Sequence, residues 1–369
     1  MPEDVRTAAV RAALDGYVDP YLGDSLGTAQ AVKAVEPREG GHLARIALGF
    51  PVGGPGGGYA AELEAGLRAH LRSAGIDTPL TLELVAEIRA HSVQKQLKPL
   101  LGIKNIVAVA SGKGGVGKST VAANLALAWA AQGARVGLLD ADIYGPSQPL
   151  MMGLAGQSPT SPDQRTMIAP VAYDVKVMSV GFLIDAEQPM VWRGPMVTQA
   201  LVQLLETTRW GELDYLIVDM PPGTGDTQLT LSQRVPVSGA VIVTTPQDIA
   251  LLDARKGLRM FQKVEVPVLG IVENMSTHVC SSCGHEEHIF GAGGGRRMAE
   301  QYAVDLLAEL PLDIRIREQA DGGRPTVVAE PDSRLGRAYI DLARRTAARL
   351  VRIALEPGVA FPSITMEDT

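Results

Sequence analysis

Nine residues, Gly112–Thr120, constrain the fold of this chain more than any other stretch, because they read G-K-G-G-V-G-K-S-T. They lie between an apolar run, Ile106–Ala110, and a run with helical character, Lys118–Gln132. A strand, a glycine-rich loop and a helix in this order are typical of a phosphate-binding loop. Several backbone N–H groups must meet the phosphate oxygens at once, and glycine permits the close wrapping that this requires. The pattern predicts that Lys118 reaches the β- and γ-phosphates and that Ser119 binds Mg²⁺.

Composition and charge narrow the class of protein. The 369 residues carry a formal net charge of −7, so no general surface for nucleic acid is expected. The first residues, Met1–Ala9, are polar and differ from a signal peptide, and no apolar run is long enough to cross a membrane. Two cysteines in the whole chain exclude a disulfide framework. We therefore expect a cytoplasmic protein that binds neither nucleic acid nor membrane.

The first 90 residues have a pattern of their own. Helical and strand-like stretches follow in the order α-β-β-α-β: Val5–Asp15, Ala29–Val35, Leu43–Phe50, Tyr59–Ser73 and Leu80–Ile88. This order predicts a small α+β domain over residues 1–90, and its turn Asp19–Gly23, D-P-Y-L-G, resembles a turn of the MIP18 family. Residues 91–104 are interpreted as a linker, which leaves residues 105–369 as the second domain.

From Asn105 onward, short apolar runs alternate with helical segments. Seven runs resemble buried parallel strands: Ile106–Ala110, Val136–Leu139, Val175–Val180, Tyr215–Val218, Ala240–Thr244, Val268–Val272 and Leu306–Leu310. This pattern predicts an α/β fold, a mostly parallel sheet flanked by helices on both faces. Ligands in such sheets bind at the carboxyl ends of the strands. A basic amphipathic helix, Ser333–Leu355, is expected to cover the sheet with its apolar face.

Polar side chains follow three of these strands. Asp140 and Asp142 come after the second run, and Asp219 ends the fourth. Acids in these places are suited to a Mg²⁺-bound water or to orienting the water that attacks a phosphate. Gly223 follows Asp219 on a loop where its N–H is placed to sense a γ-phosphate. Asn274 follows the sixth run, and its amide can pair with a base edge. Because the guanine-reading N-K-x-D motif is not visible, we expect ATP as the nucleotide.

Cys280 and Cys283 form a C-x-x-C pair, the spacing at which two thiolates share one metal centre. Two interpretations remain open from the residues. A [4Fe–4S] cluster needs about four protein ligands, so one chain supplies half of them. Zinc accepts two thiolates and two imidazoles, and His285 and His288 complete such a set. The short C-x-H-x-x-H spacing, however, strains a single tetrahedron.

Lys113, directly after the first glycine, is not required for phosphate binding. In this respect the loop resembles the deviant phosphate-binding loop of the MinD/ParA superfamily of ATPases. Further motifs resemble the Mrp/ApbC-type iron–sulfur cluster carriers within it. They are D-x-x-G-P-S at Asp142–Ser147, P-P-G-T-G-D at Pro221–Asp226, C-x-x-C-G at Cys280–Gly284 and I-F-G-x-G-G at Ile289–Gly294.

The resemblance implies a P-loop NTPase that hydrolyses ATP as a homodimer. Lys113 then crosses the dimer interface to the partner's nucleotide, and the catalytic residues are Lys113, Lys118 and Asp142, with Asp142 activating the attacking water. Asp140 lies on the Mg²⁺ side, and Asn274 contacts adenine. The cysteines of two chains together hold one [4Fe–4S] cluster at the dimer interface. The cluster is passed to apo iron–sulfur proteins, with scaffold proteins as possible donors.

The nucleotide-binding residues predicted on the loop itself are Gly112, Lys113, Gly114, Gly115, Val116, Gly117, Lys118, Ser119 and Thr120. Two other functions fit parts of the same sequence. A spatial-organising ATPase of the MinD/ParA type needs the loop but no cysteine pair. An ATP-driven electron donor like nitrogenase iron protein also holds an intersubunit cluster, but its cysteines lie on two separate loops.

Overall fold

The computed structural model describes residues 3–53, 58–91, 94, 97–183, 194–280 and 282–355. The chain divides into two compact units. The first holds the residues up to Arg89, Ala131–Gly133 and the described chain from Ala347 onward; the second holds Ala90–Ala130 and Ala134–Thr346. Parts of the predicted linker, residues 92–93 and 95–96, and the tail 356–369 lie outside the described residues. The predicted domain limits therefore stay a prediction.

The described helices are α1 (Glu3–Gly16), α2 (Tyr59–Ser73), α3 (Lys118–Ala131), α4 (Gln148–Met151), α5 (Gly194–Thr207), α6 (Asp226–Arg234), α7 (Asp248–Lys263), α8 (Gly294–Tyr302), α9 (Ile314–Asp321), α10 (Thr326–Ala329) and α11 (Arg334–Leu355). The described strands are β1 (Val32–Arg38), β2 (Gly41–Leu48), β3 (Leu80–Ala86), β4 (Ile103–Ser111), β5 (Val136–Asp140), β6 (Val171–Ala172), β7 (Val175–Ser179), β8 (Leu213–Asp219), β9 (Gly239–Thr244), β10 (Val268–Glu273), β11 (His278–Val279), β12 (Glu286–Glu287) and β13 (Leu306–Glu309).

A three-stranded sheet forms the centre of the first unit. Strand β2 lies between β1, which is antiparallel to it, and β3, which is parallel. Parallel neighbours need a crossover connection, and α2 supplies it. Helix α2 buries Leu63, Leu67 and Leu71, spaced four residues apart as one apolar face of a helix requires. The predicted α-β-β-α-β order is confirmed, whereas the resemblance to the MIP18 family stays a prediction.

The second unit is built on an eight-stranded sheet in the order β13-β10-β9-β4-β8-β5-β7-β6. Its strands are parallel except for the short β6, which pairs antiparallel with β7. All seven residues of β8 are buried, because helices cover a parallel sheet on both faces. The predicted α/β fold with a mostly parallel sheet is confirmed.

Strand order determines which loops meet at the carboxyl edge of this sheet. Strand β4 lies between β8 and β9, and β5 lies on the far side of β8. The glycine-rich loop after β4 therefore has the ends of β8 and β5 on one side and those of β9 and β10 on the other. Asp219 ends β8 and Asp140 ends β5, so both acids lie beside the loop.

The long C-terminal helix α11 is amphipathic as predicted. It buries Leu335, Tyr339 and Leu342. The indole Nε1 of Trp129 in α3 donates a hydrogen bond to the carbonyl of Ala343 over 2.9 Å. Among the described residues, we find no helix with the length and apolar character that crossing a membrane requires.

Candidate nucleotide site and cysteine hairpin

A cavity of about 260 Å³ lies between the glycine-rich loop and the segment after β5. Predicted site residues that line it are Lys113, Gly114, Gly115, Gly117, Lys118, Ser119, Thr120 and Asp142, joined by Ser111, Ser147, Met151 and Pro222. Other predicted site residues do not line this cavity, and they are Gly112, Val116, Asp140, Asp219, Gly223 and Asn274. Helix α3 begins at Lys118, so its first N–H groups and its dipole favour an anion in the cavity.

Lys118 and Asp219 form a buried ion pair beneath the loop. The Lys118 side chain is 6% exposed and that of Asp219 is fully buried, and Nζ donates to Asp219 Oδ1. The Ser119 hydroxyl accepts from the same Nζ over 3.2 Å. The predicted phosphate ligand Lys118 therefore contacts Ser119, the predicted Mg²⁺ ligand, and Asp219.

Gln148 is a site residue that the sequence reading missed. Its side chain is fully buried, and Nε2 donates to Asp219 Oδ2 over 2.8 Å and to the Ser119 carbonyl over 3.0 Å. One amide thus joins the loop after β5 to both the end of β8 and the start of α3. The signal in the sequence was weak, since a glutamine after G-P-S has no chemistry that marks it as part of a site.

Asp140 organises the loop that follows β5. Its carboxylate is fully buried and accepts from the backbone N–H groups of Asp142, Ser147 and Gln148 and from the hydroxyl of Ser179. Burial raises the pKa of Asp140 to about 7, and the nearby charge of Asp219 adds to this effect. Its described contacts are those of a loop-organising group, and its predicted place on the Mg²⁺ side stays a prediction.

Asp142 differs from Asp140 because it faces the cavity. It lines the space together with Lys113 and Lys118. Its Oδ1 accepts from the N–H of Gly145 over 3.2 Å. Partial burial raises the pKa of Asp142, while the charge of Lys118 opposes this shift. A carboxylate held by its own loop at the cavity wall is in a place to orient water.

Two predicted nucleotide contacts are engaged within the protein in this structure. The N–H of Gly223 donates to the Ser111 carbonyl over 3.1 Å. The Nδ2 of Asn274 donates to the Val116 carbonyl over 2.9 Å. Asn274 is buried, so it braces the glycine-rich loop from below. Its predicted contact with adenine stays a prediction, as does the sensing of γ-phosphate by Gly223.

Cys280 and Cys283 lie on a short hairpin made by β11 and β12. The Cys280 N–H donates to the His285 carbonyl over 2.9 Å, and the Gly284 N–H donates to the Cys280 carbonyl over 2.8 Å. The backbone N–H groups of Cys283 and Ser282 point at the Cys280 sulfur and lower the pKa of Cys280. Cys283 is exposed and Cys280 is partly exposed. The turn therefore presents two thiols at the surface, and its N–H groups favour the thiolate of Cys280.

The histidines of the hairpin do not complete a metal site with these thiols. Across the described part of the chain, no group of three or more histidine, cysteine, aspartate or glutamate side chains is arranged to hold a metal ion. His288 directs Nδ1 at the Ser276 carbonyl, 2.8 Å away. The four-ligand zinc set predicted as an alternative is thus not assembled in this structure.

Comparison with known proteins agrees with this geometry. Residues 102–347 match the ParA family model, described as NUBPL iron-transfer P-loop NTPase. The chain is 62% identical over 263 residues to the iron-sulfur cluster carrier protein of Pseudomonas fragi, covering 71% of this chain and 92% of that one. It is 52% identical over 342 residues to the iron-sulfur cluster carrier protein of Haemophilus influenzae, covering 92% and 91% of the two chains.

A solved structure extends the comparison to the fold. A nucleotide-binding protein from Archaeoglobus fulgidus in complex with ADP is 39% identical, with a TM-score of 0.56. The match covers 63% of this chain and 90% of that one. The family match spans more than half of the chain and contains both the glycine-rich loop and the cysteine hairpin. The chain belongs to the ParA family of NUBPL-type iron-transfer P-loop NTPases.

Proposed function

We propose that this protein is an ATP-hydrolysing iron–sulfur cluster carrier of the cytoplasm. Two copies hold one [4Fe–4S] cluster as cargo between them and pass it to apo iron–sulfur proteins, after loading from scaffold proteins. The observation that carries this proposal is a pair of thiols at the surface, the partly exposed Cys280 and the exposed Cys283, in the same compact unit as a phosphate-binding loop. The carrier names of the relatives from Pseudomonas fragi and Haemophilus influenzae support the choice of cargo.

The ATPase chemistry is assigned to groups at the cavity. Lys118 leaves Asp219 and binds the β- and γ-phosphates, and Ser119 binds Mg²⁺. Asp219 would help to hold Mg²⁺, which would neutralise charge on the phosphates, while Asp142 orients the water that attacks the γ-phosphate. Lys113 from one copy reaches the nucleotide of the other. The proposal is supported by the shared cavity of Lys113, Lys118, Ser119 and Asp142.

The cluster chemistry is assigned to the hairpin. A [4Fe–4S] cluster needs about four protein ligands, and one hairpin offers two thiolates with no third ligand arranged beside them among the described residues. Two hairpins brought together by a two-fold axis supply the set. An electron donor like nitrogenase iron protein also holds an intersubunit cluster, but its cysteines lie on two separate loops, so the single turn that carries Cys280 and Cys283 favours a carrier.

Anaerobic reconstitution with ferrous iron and sulfide tests the cargo. The wild-type protein is expected to turn brown and to bind about two irons per chain. Cys280→Ala and Cys283→Ala are expected to lose the colour, and Ser282→Ala, in the same turn, is expected to keep it. Iron binding that survives removal of both cysteines would show that the site is wrong. Zinc found at one ion per chain, with no iron taken up, would favour a structural zinc site.

Transfer and ATP hydrolysis need separate measurements. Reconstituted protein is mixed with an apo iron–sulfur enzyme, and the recovery of that enzyme's activity is followed with a chelator present. ATPase activity is measured in the wild-type protein and in Lys118→Ala, which is expected to bind nucleotide poorly. ATPase activity stimulated by lipid or DNA and unaffected by loss of both cysteines would favour a spatial-organising ATPase. A cluster that cycles one electron and never leaves would favour an electron donor.

A further inference from the structure

The segment that follows β10 contacts both candidate sites. Asn274 continues the sheet, because its N–H donates to the Thr244 carbonyl over 2.8 Å. Asn274 is 6% exposed, and its Nδ2 donates a hydrogen bond to the Val116 carbonyl of the glycine-rich loop. The Nδ2 atom also occupies the space that a side chain at Gly117 would need. Any movement of the loop at Val116 or Gly117 therefore acts directly on Asn274.

The next two residues leave this segment little freedom. Met275 has a φ of +58°, a left-handed conformation that a side-chain-bearing residue adopts only when its surroundings hold it. Ser276 is buried, and both its N–H and its hydroxyl donate to the Leu310 carbonyl, over 2.9 and 3.0 Å. A displacement of Asn274 is thus passed along a constrained backbone to Ser276, two residues away.

His288, which follows the second strand of the cysteine hairpin, is hydrogen-bonded to Ser276. Its Nδ1 lies 2.8 Å from the Ser276 carbonyl, and a carbonyl oxygen can only accept, so Nδ1 carries the proton and donates. The hairpin strands β11 and β12 and both thiols lie between Ser276 and His288 in the chain. Ser276 is therefore one of the points that hold the hairpin. Leu312 holds the first strand as well, because its N–H donates to the Thr277 carbonyl over 2.7 Å and its carbonyl lies 3.2 Å from Nδ1 of His278.

We propose that His288 is a positioning residue that couples the nucleotide site to the cysteine pair through Ser276 and Asn274. The inference rests on the proposed function in one respect: it assigns regulatory meaning to the two thiols. A nucleotide that shifts the Val116 carbonyl displaces Asn274, which is hydrogen-bonded to it. The displacement reaches the hairpin through Ser276 and the hydrogen bond from His288. Binding free energies are linked, so the factor by which nucleotide changes the affinity of the thiols for a metal equals the factor by which the metal changes the affinity for nucleotide.

The alkylation rate of the thiols provides a direct test. Cys280 and Cys283 are the only cysteines of the chain, so every thiol signal comes from the hairpin. The metal-free, full-length protein is treated with a maleimide, with and without saturating Mg-ADP. The wild-type rate is expected to change severalfold when Mg-ADP is added. This assay needs no cluster, so failed iron uptake would refute the proposed function and leave the coupling measurable.

Three variants separate positioning from folding. His288→Ala removes the donor, and its alkylation rate is expected to respond to Mg-ADP by a factor of about 1, with an ADP affinity within about twofold of wild type. His288→Asn keeps an N–H donor near the position of Nδ1 and is expected to restore the response. His285→Ala removes a different imidazole of the hairpin and is expected to respond as wild type does.

Three results would overturn the proposal. The first is a wild-type alkylation rate that Mg-ADP leaves unchanged. The second is a full response in His288→Ala. The third is a loss of response in His285→Ala that equals the loss in His288→Ala, since the effect then follows from any change in the hairpin.

Discussion

Adding one methyl group to the glycine-rich loop measures the contact between this loop and Asn274. Gly115 and Gly117 both have a φ of +82°, so alanine at either position carries the same backbone strain. A Cβ at Gly115 has no heavy atom within 4 Å, whereas a Cβ at Gly117 overlaps Nδ2 of Asn274. Gly117→Ala and Gly115→Ala are therefore a matched pair that differs in this one contact.

The size of the difference follows from the hydrogen bond that must break. Left-handed backbone costs alanine about 1–2 kcal/mol, and the stiffer unfolded chain offsets about 0.4–1 kcal/mol of this, so each variant loses about 1 kcal/mol. In Gly117→Ala, Asn274 must also move away from Val116. The bond over 2.9 Å is lost and buried polar atoms are left unpaired, which adds about 1–3 kcal/mol.

Thermal unfolding of the nucleotide-free protein, followed by circular dichroism, measures both variants. For a unit of this size, about 1 kcal/mol corresponds to roughly 2–4 °C, so we expect Gly117→Ala to melt about 2–12 °C below Gly115→Ala. Asn274→Ala in the Gly117→Ala background removes the overlapping atom. The double variant is expected to be more stable than the sum of the two single effects by about 1 kcal/mol. Equal melting temperatures for Gly115→Ala and Gly117→Ala would refute the reasoning.

Three further predictions concern neighbouring groups. Gln148→Leu removes the amide that donates to Asp219 and to the Ser119 carbonyl, so thermal unfolding should show a loss of stability of about 1–3 kcal/mol. An unchanged Tm would show that the amide has no structural role. Folding raises the pKa of Asp140 to about 7, so the contribution of this residue to stability is full below pH 4 and declines as the pH rises through 7. The Tm of Asp140→Asn should therefore fall less between pH 5.5 and 8 than the Tm of the wild-type protein. Equal changes of Tm with pH in the two proteins would contradict this. Lys113→Ala should keep ADP affinity and lose ATP hydrolysis, and retained turnover would exclude its role across an interface.

Much of the second unit was predictable because its strands are buried on both faces. Such strands appear in the sequence as unbroken apolar runs. The predicted ends of β4, β5 and β8 lie within three residues of the ends in the structure. The glycine-rich loop was predictable for another reason, since its function restricts the residue types at fixed spacing. The cysteine pair was visible because the chain has so few cysteines.

The remaining contacts depend on residues that meet only after folding. Gln148 lies 71 positions from Asp219, and Asn274 lies 158 positions from Val116. The residues next to a glutamine or an asparagine in the sequence do not indicate which distant carbonyl or carboxylate its side chain will contact. The sequence suggested His288 as a zinc ligand, but it gave no sign that Nδ1 of this residue would meet the distant Ser276 carbonyl.

These internal contacts bear on how the site responds to a ligand. Lys118 is paired with Asp219, the Gly223 N–H with Ser111, and Asn274 with Val116. Each of these donors is also a predicted nucleotide contact. A nucleotide held by these predicted donors would replace hydrogen bonds within the protein by hydrogen bonds to itself. Its binding would then rearrange the loops after β4, β8 and β10 together, and the loop after β10 continues into the cysteine hairpin.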